Sequence, residues 1–201
     1  MKLVYLEKPF PHFLIEDFYT EEETTSVSNE LISLSKILQS PKETKSALEV
    51  DGTPKKQNLG IFISSVYKIS KASAIFNARE KLFKLPTVQE ISKANLVFCF
   101  YPNTNYDDTL VQFYKNGDYY KPHLDLSIYS FITVFLTKQK KYSGGTLKFT
   151  EFNYEVDLQH NHSIFFPSNM KHEVTKVNIE SDNLLDSRIS ITTLLGIDPK
   201  V

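Results

Sequence analysis

The chain has 201 residues, a formal net charge of -1, 41% hydrophobic residues and 23% charged residues. This is ordinary globular composition, and a chain of this length can bury a core without disulfide or metal staples. The near-zero charge excludes bulk electrostatic attraction to nucleic acid or anionic membrane, and no apolar run approaches the ~18 residues of a transmembrane helix.

Met1 to Phe13 lacks a basic segment followed by an apolar run, so no signal peptide is expected. The lone Cys99 cannot form an internal disulfide. It sits in the apolar run Leu96–Phe100 and is expected to be a buried small hydrophobe. Together these features point to the cytoplasm. Of the 23 basic residues only Arg79 and Arg188 are arginine, which suggests positions where lysine does not serve.

In chain order, Phe13-Leu14-Ile15 reads as a short strand. Thr20-Glu21-Glu22-Glu23 is a capping box opening a helix with Val27, Leu31, Leu34 and Leu38 on one face. Residues 41–58, rich in Lys, Glu, Ser, Gly and Pro, read as a long mobile loop, the usual form of a lid. A second helix is expected from about Ser70, with Ala72, Ile75, Phe76, Arg79, Leu82 and Phe83 along one side, ending before Pro86. Thr87-Val88-Gln89-Glu90 is read as the cap of a short third helix. From Asn95 the pattern turns to β, with strands expected near 95–101, 110–116, 130–137, 146–151, 163–167, 173–178 and 188–195. The expected architecture is α+β in one domain, 1–201: a helical support over about 1–94, and over about 95–201 a double-stranded β-helix (jelly roll) core with helices packed on one face.

Five histidines are present. His123 and Asp125 are separated by one residue, so on an extended segment their side chains share a face. A histidine from another strand would complete two imidazoles and a carboxylate on one face of an octahedral metal, leaving open positions as non-haem Fe(II) oxygenases require. The bland alternative for His-x-Asp alone is a turn residue beside a solvated carboxylate. His172, after the apolar run Ile164-Phe165-Phe166-Pro167, is well placed as the third ligand. His160 and His162 compete with it, but they flank Asn161 in a polar turn and are expected to face solvent. On the last strand Arg188, Ser190 and Thr192 share one face, and Ile189, Ile191 and Thr193 the other. A strand-centre arginine costs desolvation unless paired. Its partner is either a structural acid or a bound carboxylate matched to its fork, with Ser190 assisting.

Tyr114, Gly117, Tyr120, Pro122, His123 and Asp125 fill every fixed place of Tyr-x-x-Gly-x-x-Tyr-x-Pro-His-x-Asp. In this the chain resembles the prolyl 4-hydroxylase-like branch of the 2-oxoglutarate and Fe(II)-dependent dioxygenases. Gly144-Gly145-Thr146-Leu147, Phe165-Phe166-Pro167, His172 and Val174, and Arg188-x-Ser190 resemble its later motifs in the expected order, and Lys8–Ile15 loosely resembles the opening of small bacterial and phage-encoded members. The resemblance implies His123, Asp125 and His172 as iron ligands. It implies Arg188 as partner of the distal carboxylate of 2-oxoglutarate, Tyr114 as a hydrogen-bonding group to it, Leu147 as a wall beside it and Tyr120 as a structural residue. It further implies Fe(II), 2-oxoglutarate and O2, with ascorbate as reductant. The expected partner is a proline-containing peptide or protein hydroxylated to 4-hydroxyproline, with no nucleic acid and no membrane. Three alternatives stand beside it: hydroxylation of another residue or a free amino acid, a jelly-roll binding module without catalysis, and nucleic-acid repair, against which the near-neutral charge and the absence of a basic stripe argue. Collagen-type members carry lysine where this chain has Arg188, which points away from collagen. The polar stretch Asn178 to Asp186 is longer than usual and leaves the register of Arg188 open.

Overall fold

The computed structural model describes residues 1–136, 139–198 and 200. The end of the expected strand 130–137, at Thr137, lies outside them, as do Lys138, Pro199 and Val201.

The first 94 residues are more than helical support. β1 (Lys2–Leu6) and β2 (His12–Glu16) form a hairpin, followed by helix α1 (Glu21–Leu34). β3 (Lys56–Gln57) and β4 (Leu59–Phe62) precede the short helix α2 (Ile63–Val66), then α3 (Ala74–Arg79) and α4 (Leu85–Ala94). The sheet core follows, with β5 (Tyr106–Tyr114), β6 (Tyr119–His123), β7 (Tyr129–Phe135) and β8 (Tyr142–Gly144). β9 (Leu147–Phe149), β10 (Tyr154–Val156) and β11 (Ser163–Pro167) come next, then β12 (His172–Val174), β13 (Val177–Ile179) and β14 (Arg188–Gly196).

Seven strands make the major sheet, in the order β1-β2-β11-β7-β14-β5-β4, and five make the minor sheet, in the order β10-β9-β12-β6-β3. β8 and β13 form a two-stranded ribbon. Every pairing is antiparallel. This is an α+β fold with a double-stranded β-helix core. The alternation read along the last strand sorts its residues as expected. Ile189 and Ile191 pack outward with Phe13, Val111, Phe131 and Phe165 against residues of α1, α3 and α4. Arg188, Ser190 and Thr192 face a cavity between the sheets. Among the described residues no helix is long and apolar enough to cross a membrane.

The helix at Thr20 forms as expected. The Thr20 hydroxyl accepts the Glu23 N–H at 3.2 Å, and the Glu23 carboxylate accepts the Thr20 N–H at 2.8 Å. Other expectations are corrected. The helix over 70–83 is broken into two 3-10 turns around α3, because Ser73 caps a new start: its hydroxyl accepts the Phe76 N–H and donates to buried Glu30. Thr87 is not a cap, since α4 starts at Leu85 with Pro86 in its first turn, where a missing N–H costs nothing. Residues 95–101 are 3-10 turns, not a strand. Asn95 caps Val97, and Pro102, without an N–H, begins the second turn. Cys99 is consequently exposed. The strand expected at 173–178 is two strands, β12 and β13, in different sheets.

Residues 41–58 are built rather than structureless. Backbone bonds close the excursion, with Glu49 N–H to Thr53 C=O at 2.8 Å and Lys55 N–H to Ala47 C=O at 2.8 Å. Glu49 pairs with Lys121 at 2.8 Å, and the Lys55 ammonium donates to the Pro122 carbonyl at 3.1 Å. The segment is thus a hairpin laid beside β6, leading into β3.

Candidate active site

β6 ends at His123 and β12 begins at His172, and the two residues are direct cross-strand partners. Asp125 lies two residues beyond β6, in the loop that leads to the major sheet. One ligand-capable atom from each residue lies within 4.8 Å of the others. His123 Nε2 is 3.7 Å from Asp125 Oδ1, and His172 Nε2 is 3.7 Å from Asp125 Oδ2.

The opposite edges of both rings settle their protons. His123 Nδ1 lies 2.9 Å from the Lys121 carbonyl and His172 Nδ1 lies 2.9 Å from the Met170 carbonyl. A carbonyl only accepts, so each Nδ1 carries an N–H, and in the neutral ring each Nε2 then presents its lone pair to the centre. Burial, then the neighbouring His172, hold the His123 imidazole well below the ordinary histidine range, which keeps it neutral. Two lone pairs and a carboxylate therefore converge with no hydrogen between them, an arrangement that a cation completes. Ser130 supports Asp125 by donating to Oδ2 at 2.6 Å, and is joined to Ser168 at 2.8 Å. The Tyr120 ring stacks on His123 at 3.5 Å and 8°, while Phe166 and Phe149 pack against His172. The triad is thus oriented by an outer layer of contacts.

The triad opens into a cavity of about 800 Å³ that also holds Arg188, Tyr114, Ser190 and Leu147. Arg188 is 1% exposed and lies opposite Tyr114 in the β14–β5 register, which fixes its place despite the long Asn178–Asp186 connection. Its guanidinium lies 5.0 Å from the Tyr114 ring centre. Among the described residues it pairs with no acid, and its Nη1 has no hydrogen-bond partner. Such an orphaned buried donor fits a bound carboxylate. The structural-acid alternative is therefore not what these residues do. Arg79, by contrast, does take that role, paired with Asp107 over the Phe76 ring. Gly145 makes the space for Arg188: a Cβ there would stand 2.5 Å from Arg188 Cδ.

His160 and His162 lie outside the cluster. His160 is half-buried rather than exposed, its Nδ1 accepting the Leu136 N–H at 3.0 Å. Ser130 behind Asp125, and the cavity residues Lys56 and Gln112, escaped the sequence reading, Gln112 being 4% exposed with an unpartnered Nε2. None carries a local signature, because each matters only through the strand that pairing brings beside it.

Residues 109–195 match the family model described as the 2OG-Fe(II) oxygenase superfamily. No curated protein matches the chain in sequence. Among solved structures, a prolyl-4-hydroxylase from Pseudomonas putida is similar at 15% identity, covering 93% of this chain and 92% of its own, with a TM-score of 0.66. A viral collagen prolyl hydroxylase from Paramecium Bursaria Chlorella virus-1, in its 2OG complex, is similar at 15% identity, 93% and 96% coverage and a TM-score of 0.60. The structure of OsALKBH1 is similar at 12% identity, 91% and 97% coverage and a TM-score of 0.57. The matched segment runs from β5 to β14 and contains the His-Asp-His cluster and the buried arginine, and over those residues the chain is similar to the 2OG-Fe(II) oxygenase superfamily.

Proposed function

We propose that the chain is a 2-oxoglutarate-dependent dioxygenase that hydroxylates a peptidyl proline, with His123, Asp125 and His172 holding Fe(II). The observation that carries the oxygenase reading is the pairing, in one cavity, of a proton-free His-Asp-His cluster with an orphaned buried guanidinium. When bound, Fe(II) and 2-oxoglutarate supply dioxygen activation, coupled to decarboxylation of 2-oxoglutarate to succinate.

The chain's own groups bind, orient and exclude water. Neutral Nε2 atoms and the Asp125 carboxylate ligate, and Ser130 fixes the carboxylate. Arg188 grips the distal carboxylate of the co-substrate through the fork that leaves Nη1 free, with Tyr114 and Ser190 beside it. Leu147, Ile132 and Val174 keep that end of the cavity apolar.

A peptide is the favoured substrate class because of the cavity's length and rim. Arg188, Ser190, Thr192, Leu194 and Gly196, alternate residues of β14, all line it. That is a trough on the order of 26 Å at ~3.3 Å per residue. Leu124, Tyr106 and fully exposed Leu126 form an apolar rim, the kind of surface that marks a partner's seat. Proline itself rests on the sequence resemblance, and the net charge of -1 favours a peptide over nucleic acid. The test is succinate formation from 2-oxoglutarate with Fe(II) and ascorbate, and mass spectrometry of proline peptides in the same mixture. Gain of one oxygen on proline supports the reading. Succinate with oxygen placed only on another residue or a free amino acid replaces proline but keeps the enzyme class, and no turnover by iron-loaded protein rejects both.

A further inference from the structure

Lys56 is a second buried cation in the cavity, on the opposite sheet from Arg188. It lies on β3, paired with Tyr120 of β6, and is 3% exposed. Its ammonium donates to the Thr44 carbonyl at 3.2 Å and stands 5.7 Å from the Tyr120 ring centre. Among the described residues no carboxylate is within ion-pairing distance of it. An ammonium has three donors, so one neutral acceptor leaves the group under-coordinated where water is scarce. Burying a cation in that state is costly. Burial accordingly pushes its pKa down to about 8, against the opposing charge of Asp125.

Asp125 cannot be its dedicated counter-ion. Its carboxylate faces both imidazoles and accepts from Ser130. On the reading above, an iron dication, one carboxylate, dianionic 2-oxoglutarate and the Arg188 guanidinium sum to neutrality. Of the other charged lining residues, Lys45, Asp108 and Asp198, none is ion-paired with Lys56, so its charge has no counter-ion beside the loaded metal.

We propose that Lys56 is an anion subsite for the primary substrate, pairing with a carboxylate that the substrate carries near its reacting carbon. Acidic side chains beside the target residue and a chain-terminal carboxylate share this chemistry. The inference rests on the assignment of Arg188 to the co-substrate.

Isothermal calorimetry on Mn(II)-loaded protein saturated with 2-oxoglutarate tests it. The probes are N-acetylproline against N-acetylprolinamide, and benzoate against benzamide. In the wild type the carboxylate member of at least one pair should bind roughly tenfold or more tightly than its amide, the scale of one charged hydrogen bond. Lys56→Met and Lys56→Gln should both lose that advantage while 2-oxoglutarate affinity changes less than about twofold. Both variants replace a buried charge by a neutral chain of similar length, so they are expected to fold, and two substitutions guard against one that does not. An advantage confined to the benzoate pair keeps the subsite and removes proline. No carboxylate advantage in the wild type overturns the proposal, as does an advantage that survives in both variants. Loss of 2-oxoglutarate affinity in the Lys56 variants also overturns it, and places Lys56 with the co-substrate instead. Separately, Arg188→Ala with unchanged 2-oxoglutarate affinity would sink the reading on which the inference stands.

Discussion

At Arg188 the energetics are those of a donor buried without a partner. The protein offers Nη1 no acceptor to offset its desolvation, and a bound carboxylate relieves it. Arg188→Ala should weaken 2-oxoglutarate binding roughly 10- to 150-fold, about 1.5–3 kcal/mol. Arg188→Lys should weaken it less, since an ammonium keeps the charge and loses the fork. Metal affinity should survive both changes; calorimetry with Mn(II) and 2-oxoglutarate separates the two. The neighbouring glycines divide differently. A Cβ on Gly144 would meet the Lys176 carbonyl at 2.1 Å, a backbone atom that cannot step aside, whereas on Gly145 it meets the Arg188 side chain. Both have positive φ. Gly144→Ala should therefore show mainly as a lowered melting temperature. Gly145→Ala should show a disproportionate loss of 2-oxoglutarate affinity, and equal affinity in the two variants would contradict this division.

Among the elements, the hairpin leading into β3 is tied to β6 by Glu49 and Lys55, and to a ring that stacks on a metal-ligating histidine by Tyr120. The Tyr120 hydroxyl accepts the Ala47 N–H at 3.2 Å while its ring lies on His123. Tyr120→Phe removes the tie and keeps the stack. Amide exchange at Ala47 and its neighbours should then quicken roughly 2- to 10-fold with metal affinity unchanged; unaltered exchange would mean that the hairpin is held by its own backbone bonds and by Glu49 and Lys55 on β6. The sequence hid this element because its residues are polar and its order comes from pairing with β6. The same reason hid β3 itself and the helix break at Ser73, which depends on Glu30 reaching across from α1. Apolar composition misled at 95–101, where Pro102 and the Asn95 cap overrule β propensity. Strands β5, β7, β11 and β14 were legible because they are long, branched or aromatic, and buried. His123, Asp125, His172 and Arg188 could be singled out because their chemistry restricts residue type. Ser130, Lys56 and Gln112 could not, since only tertiary proximity gives them meaning.

Across the whole molecule, His12, His123 and His160 are all held below the ordinary histidine range, burial being the largest cause for each. The unfolded chain then binds protons that the native state refuses once pH falls below about 6.5. Metal-free protein should therefore lose melting temperature between about pH 7.5 and about pH 5.5, and a flat profile would contradict the burial of neutral imidazoles. At neutral pH a divalent metal at a hundred times its Kd should add about 2.7 kcal/mol of stability, a gain absent in His172→Ala. Finally, the two halves of the site stand on different walls: His123 and His172 belong to the minor sheet, Arg188 to the major one. Packed sheets lie about 10 Å apart, and closely packed side chains hold that gap nearly constant. The fold therefore acts as a caliper on the co-substrate, with jaws set by the packing between sheets. Oxaloacetate, one carbon shorter than 2-oxoglutarate, should fail to span the jaws, and 2-oxoadipate, one carbon longer, should have to buckle. Both should compete poorly for the site, and cavity-creating substitutions between the sheets, such as Ile164→Ala in the same apolar core, should blur that discrimination without touching any group that binds the acid.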